Sequence, residues 1–257
     1  MASIWVTGSS AGIGQQTALA LVNGGHRVVL HARSRERATE AQKGVPRAAA
    51  VVIGDLSSLD ETRALAEAAQ EQGPFDAVVH NAGIGGGNGK RALTRDGLDP
   101  IFQVNVVAPY VLTALMHRPR RLVYLSSGLH YQGVFEPDEL EQQRHPGDGM
   151  KAYSDSKLCD VLLAFAVARL WPSTLSNAVD PGWIRTRMGG RGAPGPVSQG
   201  AETPVWLATS DEPSALVSGR YLKDRQQVSA NPAAYDQELQ DALLRSCAAL
   251  TGARLAA

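Results

Sequence analysis

Residues 3–25 read SIWVTGSSAGIGQQTALALVNGG. The stretch opens as a strand, SIWVTG over 3–8, that ends on a glycine, and it continues as a helix over 13–25 that Gly24 and Gly25 stop. Between the two lie glycines at 8, 12 and 14. Gly8 permits a tight exit from the strand, Gly12 lets a pyrophosphate approach the backbone, and Gly14 lets the helix pack on the sheet. Free N–H groups and the helix dipole at the start of that helix favour a bound phosphate. A glycine-rich turn with no ligand is the bland alternative. The strand before it, the helix after it and its place in the first βαβ unit favour a dinucleotide.

Outward from this turn, short Val/Ile/Leu-rich runs alternate with helical patterns. Strands are predicted at 27–32, 49–55, 75–83, 121–127 and 175–182, with a short seventh at 218–222. Helices are predicted at 34–42, at 59–72 with Ser57 or Ser58 as N-cap, at 98–116 despite Pro109, and from residue 151 onward. Buried runs without clean alternation, separated by helices, describe a parallel sheet covered on both faces. The expectation is one α/β domain over 1–257, a doubly wound sheet of about seven mostly parallel strands. Such sheets bind ligands at the carboxyl ends of their strands, where Gly8, Asp55, Asn81, Ser127 and Pro181–Gly182 gather.

Composition excludes several classes of function. Twenty-five basic residues face twenty-five acidic ones, which gives no reason to expect a nucleic-acid partner. The two cysteines, Cys159 and Cys247, lack metal-ligand spacing, and Cys159 falls in an apolar helix, so a buried free thiol is expected there. No metal pattern links the histidines at 26, 31, 80, 117 and 145. The N-terminus lacks the flank and apolar run of a signal peptide, and no stretch reaches about 18 uninterrupted apolar residues. A soluble, cytoplasmic protein is the expectation.

The spacing G-x-x-x-G-x-G resembles the cofactor turn of the short-chain dehydrogenase/reductase family, and the resemblance then runs from about residue 3 to residue 222. Thr7, Gly8, Gly12 and Gly14 match that turn, Asp55 the acidic residue beside the adenine, and Asn81-Ala82-Gly83 the family's NAG signature. Asn105, Ser127, Tyr153 and Lys157 match its catalytic residues, and Pro181-Gly182 with Thr186 matches its P-G-x-x-x-T loop near the nicotinamide. The resemblance implies a Rossmann-type fold and places Ser10, Ile13, Leu56 and Ile184 against the cofactor as well. The segments LSSGLHYQG and YSDSKLCDVLL resemble the retinol dehydrogenase-like branch, whose members often act on bulky apolar alcohols and carbonyls. This sequence departs from many of them in showing no N-terminal membrane anchor and in a short, glycine-rich segment after Thr186.

Tyr153 and Lys157 stand four apart in KAYSDSK (151–157), so both face one way on a helix. An ammonium beside a phenol favours the phenolate, which suits the tyrosine to proton transfer near neutral pH. The resemblance makes Tyr153 the general acid/base, has Ser127 hold the substrate oxygen, has Lys157 also bind the nicotinamide ribose, and has Asn105 anchor a water on a proton path. Ser126 competes with Ser127; the family places the catalytic hydroxyl second. At the end of the second strand, Ala32 stands where a carboxylate would select NAD, and Arg33 follows, with Arg35 and Arg37 beyond. NADP(H) is therefore preferred over NAD(H), with Arg33 on the 2′-phosphate and Arg35 and Arg37 as solvated charges.

Residues 130–149 read as a surface insertion, and the glycine- and proline-rich loop 187–200 as a mobile substrate loop. Position alone offers His130, Tyr131, Trp183 and Met188 as substrate contacts. A small-molecule carbonyl or alcohol is the partner, with a homo-oligomer left open. The alternatives are a non-catalytic NADP(H)-binding regulator, disfavoured by intact Ser127, Tyr153, Lys157 and Asn105, and an extended-branch epimerase or dehydratase, disfavoured by chain length and glycine spacing.

Overall fold

The computed structural model describes residues 1–86, 92–137 and 148–256. In chain order the sheet and its covering helices are β1 (Ser3–Val6), α1 (Gly12–Asn23), β2 (Arg27–Ala32), α2 (Arg35–Gly44), β3 (Ala50–Ile53), α3 (Leu59–Glu71) and β4 (Ala77–His80). After β4 come α4 (Pro100–Phe102), a π-helical segment (Gln103–Val107), α5 (Ala108–Leu115), β5 (Arg121–Leu125) and a 3₁₀ turn (Gly128–Gln132). The chain ends with α6 (Gly149–Leu170), β6 (Leu175–Asp180), α7 (Val197–Thr209), β7 (Arg220–Lys223), β8 (Gln226–Val228), a 3₁₀ turn (Pro232–Tyr235) and α8 (Gln237–Thr251).

The strands form one sheet in the order β3-β2-β1-β4-β5-β6-β7-β8, parallel throughout except for the antiparallel pair β7–β8. The order reverses between β1 and β4, and the switch point opens a crevice at their carboxyl ends. Within β1, Ile4 and Val6 enter one apolar core while Trp5 enters the other on the opposite face. All three side chains are fully buried. Both faces are thus covered, which is why the strands show no apolar–polar alternation.

Three local readings change. β1 ends at Val6, so Thr7 and Gly8 belong to the turn. The sheet has eight strands because Asp224 and Arg225, at φ of 49° and 60°, turn the chain back from β7 into β8. No glycine marks that hairpin, and so its sequence hid it. The predicted helix over 98–116 divides: Pro109 has no N–H for the carbonyl of Asn105, and the ladder widens over Gln103–Val107, with the Ala108 N–H bonding the Gln103 carbonyl.

The capping residues behave as their chemistry requires. Ser58, not Ser57, caps α3 by accepting from the Glu61 N–H at 3.3 Å. Asp148 caps α6 by accepting from the Met150 N–H at 2.8 Å, which places Tyr153 and Lys157 in the first turns of that helix. Residues 138–147 of the expected insertion lie outside the described residues. The expected loop 187–200 is shorter at its end, because Val197 already begins α7. Cys159 and Cys247 are buried free thiols. Among the described residues, no helix is long and apolar enough to cross a membrane.

Candidate active site

At the switch point, the Thr7 hydroxyl accepts from the Asn81 and Ala82 N–H groups at 3.0 Å each. In return, Asn81 Nδ2 donates to the carbonyls of Thr7 (2.8 Å) and Gly8 (3.1 Å). These bonds lace β1 to β4 beside the glycine turn. Gly8 has φ of 62°, and a Cβ there would lie 2.7 Å from the Ala82 Cα. Gly12, at φ of 60°, faces Thr186, whose Cγ2 would stand 3.4 Å from an added Cβ. At Gly14 a Cβ would lie 2.2 Å from Asn81 Nδ2. Ala11 at the start of α1 provides no side-chain cap, and the first turn carries no acid. A helix of this length with an uncapped N-terminus behind a glycine turn fits an anionic phosphate group. Ile13 and Ile184 flank Gly200 of α7, where an added Cβ would stand 3.0 Å from Cγ1 of each, and Leu56 is buried in the core. Asp55 accepts from the Ser57 N–H at 2.9 Å and from its hydroxyl at 2.8 Å, which fixes the loop after β3.

Two further residues join this turn through tertiary contacts. Fully buried His31 accepts from the Gly8 N–H at Nδ1 (2.9 Å), and its Nε2 pairs with the Gly54 carbonyl at 2.9 Å. Nδ1 can accept only from a neutral ring, so the proton sits on Nε2; burial holds the imidazole below its ordinary range. His31 thus braces the glycine turn against the end of β3. Arg37 donates from one terminal nitrogen to Ser10 Oγ at 3.0 Å and pairs with Glu40 through the other. Arg37 is therefore no mere solvated charge: it reaches the glycine turn. Arg33, directly after β2, is exposed.

At the tip of β5 the two serines separate. Ser126 is buried and donates to the Lys157 carbonyl at 2.7 Å, while Ser127 is half-buried and accepts from the Leu129 N–H at 3.2 Å. One lone pair of the Ser127 hydroxyl is thus taken, and its proton is left to donate. From α6, Lys157 brings its Nζ to 5.6 Å from the centre of the Tyr153 ring. A Cβ on Gly83 would lie 3.6 Å from that Nζ and 3.4 Å from Asn105 Oδ1, so the NAG segment borders both residues. Burial pulls the Lys157 ammonium down, but the charge of Asp160, then that of Tyr153, outweighs it and holds the group above the ordinary lysine range. The Asn105 carboxamide accepts from the Ile84 N–H at 2.9 Å and donates to the Ile84 carbonyl (3.1 Å) and to Ser156 Oγ (3.0 Å). Both of its N–H bonds go to protein; a water expected there could meet only the remaining lone pair of Oδ1.

Among the expected substrate contacts, His130 needs correction. It is fully buried, with Nδ1 on the Ser127 carbonyl at 2.8 Å and Nε2 accepting from the Asn231 N–H at 3.0 Å. Both nitrogens face backbone, so His130 ties the loop after Ser127 to the segment before α8. Tyr131, Trp183 and Met188 are exposed. Trp183 Nε1 donates to the Gly189 carbonyl at 2.9 Å, and Met188 Cγ would lie 2.9 Å from a Cβ on Gly85. Gly182, at φ of 84°, bends the chain out of β6 to present this rim.

Known proteins agree with this architecture. The short chain dehydrogenase family profile matches residues 2–122. An uncharacterized oxidoreductase of Emericella nidulans is 43% identical across 98% of this chain and 98% of its own. The short-chain dehydrogenase chyC of Penicillium rubens is 38% identical across 100% of both chains. A crystal structure of a short chain dehydrogenase from Burkholderia cenocepacia, in complex with NADP, is 25% identical with a TM-score of 0.68, over 86% of this chain and 94% of that one. With a sheet, a crevice and relatives of this kind, the chain belongs to the short-chain dehydrogenase/reductase family of oxidoreductases.

Proposed function

We propose that the chain reduces a carbonyl compound to an alcohol, or runs the reverse reaction, with NADP(H) preferred over NAD(H). The observation that carries this reading is the approach of Lys157 Nζ to within 5.6 Å of the Tyr153 ring, beside the NAG segment and the tip of β5. A nicotinamide cofactor, when bound, supplies or accepts the hydride. Tyr153 supplies the proton to the carbonyl oxygen in reduction and removes it in oxidation. Ser127, oriented by the bond it accepts from the Leu129 N–H, donates to that same oxygen. Lys157 keeps a positive charge beside the phenol and offers an N–H to the nicotinamide ribose. Asn105 holds the exit of β4 against the start of α6 and so keeps these groups in register. Because cellular NADPH usually supplies reducing power, reduction is the physiological direction. The exposed apolar rim of Tyr131, Met150, Trp183 and Met188 suits a bulky apolar carbonyl.

NADP(H) preference rests on Arg37, whose guanidinium donates to Ser10 of the glycine turn, and on exposed Arg33 directly after β2. No carboxylate precedes Glu36 after β2. Charge-assisted bonds to a 2′-phosphate contribute about 1.5–3 kcal/mol each, roughly ten- to a hundredfold in affinity. Fluorescence titration is expected to show NADPH binding at least tenfold tighter than NADH. The double variant Arg33→Ala/Arg37→Ala is expected to lose that margin through NADPH alone. Equal affinities in the unsubstituted protein would contradict the cofactor assignment. A panel of aldehydes and ketones followed by NADPH absorbance tests the activity itself, and no turnover across apolar carbonyls of graded size would count against it.

A further inference from the structure

Lys157 does not stand alone beneath the crevice. Its Nζ donates to the Leu125 carbonyl at 2.8 Å and to Asp160 Oδ2 at 2.8 Å. The Asp160 carboxylate lies one helical turn further along α6, and its side chain is even less exposed than that of Lys157, at 4% against 6%. An ammonium has three N–H bonds. Two are held by the protein's own oxygens, which leaves one for the crevice.

The groups around Asp160 make it the counter-charge. On its own helix it faces Lys157 and Cys159; from β5 it faces Tyr124. Burial pushes both the Cys159 thiol and the Tyr124 phenol well up, so neither ionises at neutral pH. Behind Tyr124, its hydroxyl pairs with Thr113 Oγ1 at 2.8 Å, and that oxygen with His80 Nε2 at 3.2 Å. Burial drives His80 down to about 3, so the imidazole is neutral. Tyr153 itself faces Lys157 and, from β7, Tyr221, near which lie Asp180 and Tyr131. Of the described groups facing Lys157 directly, Asp160 alone brings a full opposite charge into contact.

We propose that Asp160 is a positioning residue for Lys157: it pins the ammonium with a single N–H left toward the crevice and offsets part of the positive charge that Tyr153 feels. This rests on the proton-transfer role given to Tyr153 above. The lysine alone would push the phenol strongly toward phenolate. Paired, it acts nearer to a dipole, whose influence falls faster with distance. Burial pushes the Asp160 carboxyl up to about 6 against the pull of Lys157, so the pair is ionised together at neutral pH.

The test is an ultraviolet difference titration of phenolate absorbance, which needs no substrate. Subtracting Tyr153→Phe from the unsubstituted protein isolates Tyr153; subtracting Asp160→Asn/Tyr153→Phe from Asp160→Asn isolates it without the carboxylate. Asparagine keeps an oxygen that accepts from Lys157 and removes only the charge. The Tyr153 midpoint is expected about one pH unit lower in Asp160→Asn, in the direction an unbalanced neighbouring cation imposes. Coincident midpoints would overturn the proposal. If Asp160→Asn does not fold, Asp160→Ser is read in the same way, with the same two outcomes. An absence of carbonyl turnover would remove the reductase reading yet leave this titration legible. Unmoved midpoints in an active enzyme would remove the role of Asp160 alone.

Discussion

Replacing Tyr153 by phenylalanine is expected to lower NADPH-dependent carbonyl reduction by about 10³-fold while NADPH affinity stays within about twofold. The substitution removes one oxygen and keeps the ring. Tyr153 sits half-buried in the first turns of α6, and its backbone carbonyl accepts from Ser156 Oγ at 2.7 Å, a bond that does not involve the phenol. The helix and the glycine turn should therefore survive unchanged. What disappears is the proton for the developing alkoxide, which Ser127 cannot replace because a hydroxyl without a base or a neighbouring cation is a weak acid. Steady-state rates with a turned-over carbonyl, beside a fluorescence titration of NADPH, separate the two effects. A loss of rate matched by an equal loss of affinity would mean that Tyr153 serves binding rather than proton transfer.

Gly14→Ala is expected to weaken NADPH binding by more than tenfold and to cost about 1–3 kcal/mol of stability, the usual penalty for overpacking a close-packed site. The new methyl would fall 2.2 Å from Asn81 Nδ2 and 2.6 Å from the Gly8 carbonyl oxygen. Neither can move independently, because Asn81 donates to both the Thr7 and Gly8 carbonyls. The strain therefore passes into the glycine turn proposed above to hold the cofactor. Gly25→Ala is the control. At φ of 81° it carries backbone strain, but nothing lies within 4 Å of its added Cβ, and it is remote from the crevice. Thermal unfolding and cofactor titration of the two variants should show stability falling in both and affinity falling only in Gly14→Ala.

The residues of this crevice differ in how far the sequence reveals them. The glycine turn is legible because its requirement is local: a strand, a positive φ and a helix start follow one another within a dozen residues. Ser126 and Ser127 are indistinguishable as letters, and only the fold shows one hydroxyl given to the Lys157 carbonyl and the other left at the crevice. Arg37 reads as a surface charge of α2, but β2 delivers that helix beside the glycine turn. His31 lies in a strand whose pattern says only that it is buried. Its role comes from Gly8 and Gly54, each 23 residues away. His130 failed in the opposite sense: a histidine three residues beyond Ser127 suggested a pocket, whereas Asn231, about a hundred residues later, claims its ring. Asp160 was hidden by its setting, because a carboxylate three residues after a lysine on a helix is ordinarily a solvent-exposed pair. Burial turns the same spacing into a constraint on the site.

Hydride and proton delivery to one carbonyl can be followed together with NADPH deuterated at the transferring carbon. The account predicts that the alcohol formed from an apolar ketone carries that deuterium on its carbinol carbon as a single enantiomer, and that Tyr153→Phe, saturated with the same cofactor, forms almost none. Deuterated alcohol at an undiminished rate from Tyr153→Phe, or a protein that holds no NADPH at all, would contradict it.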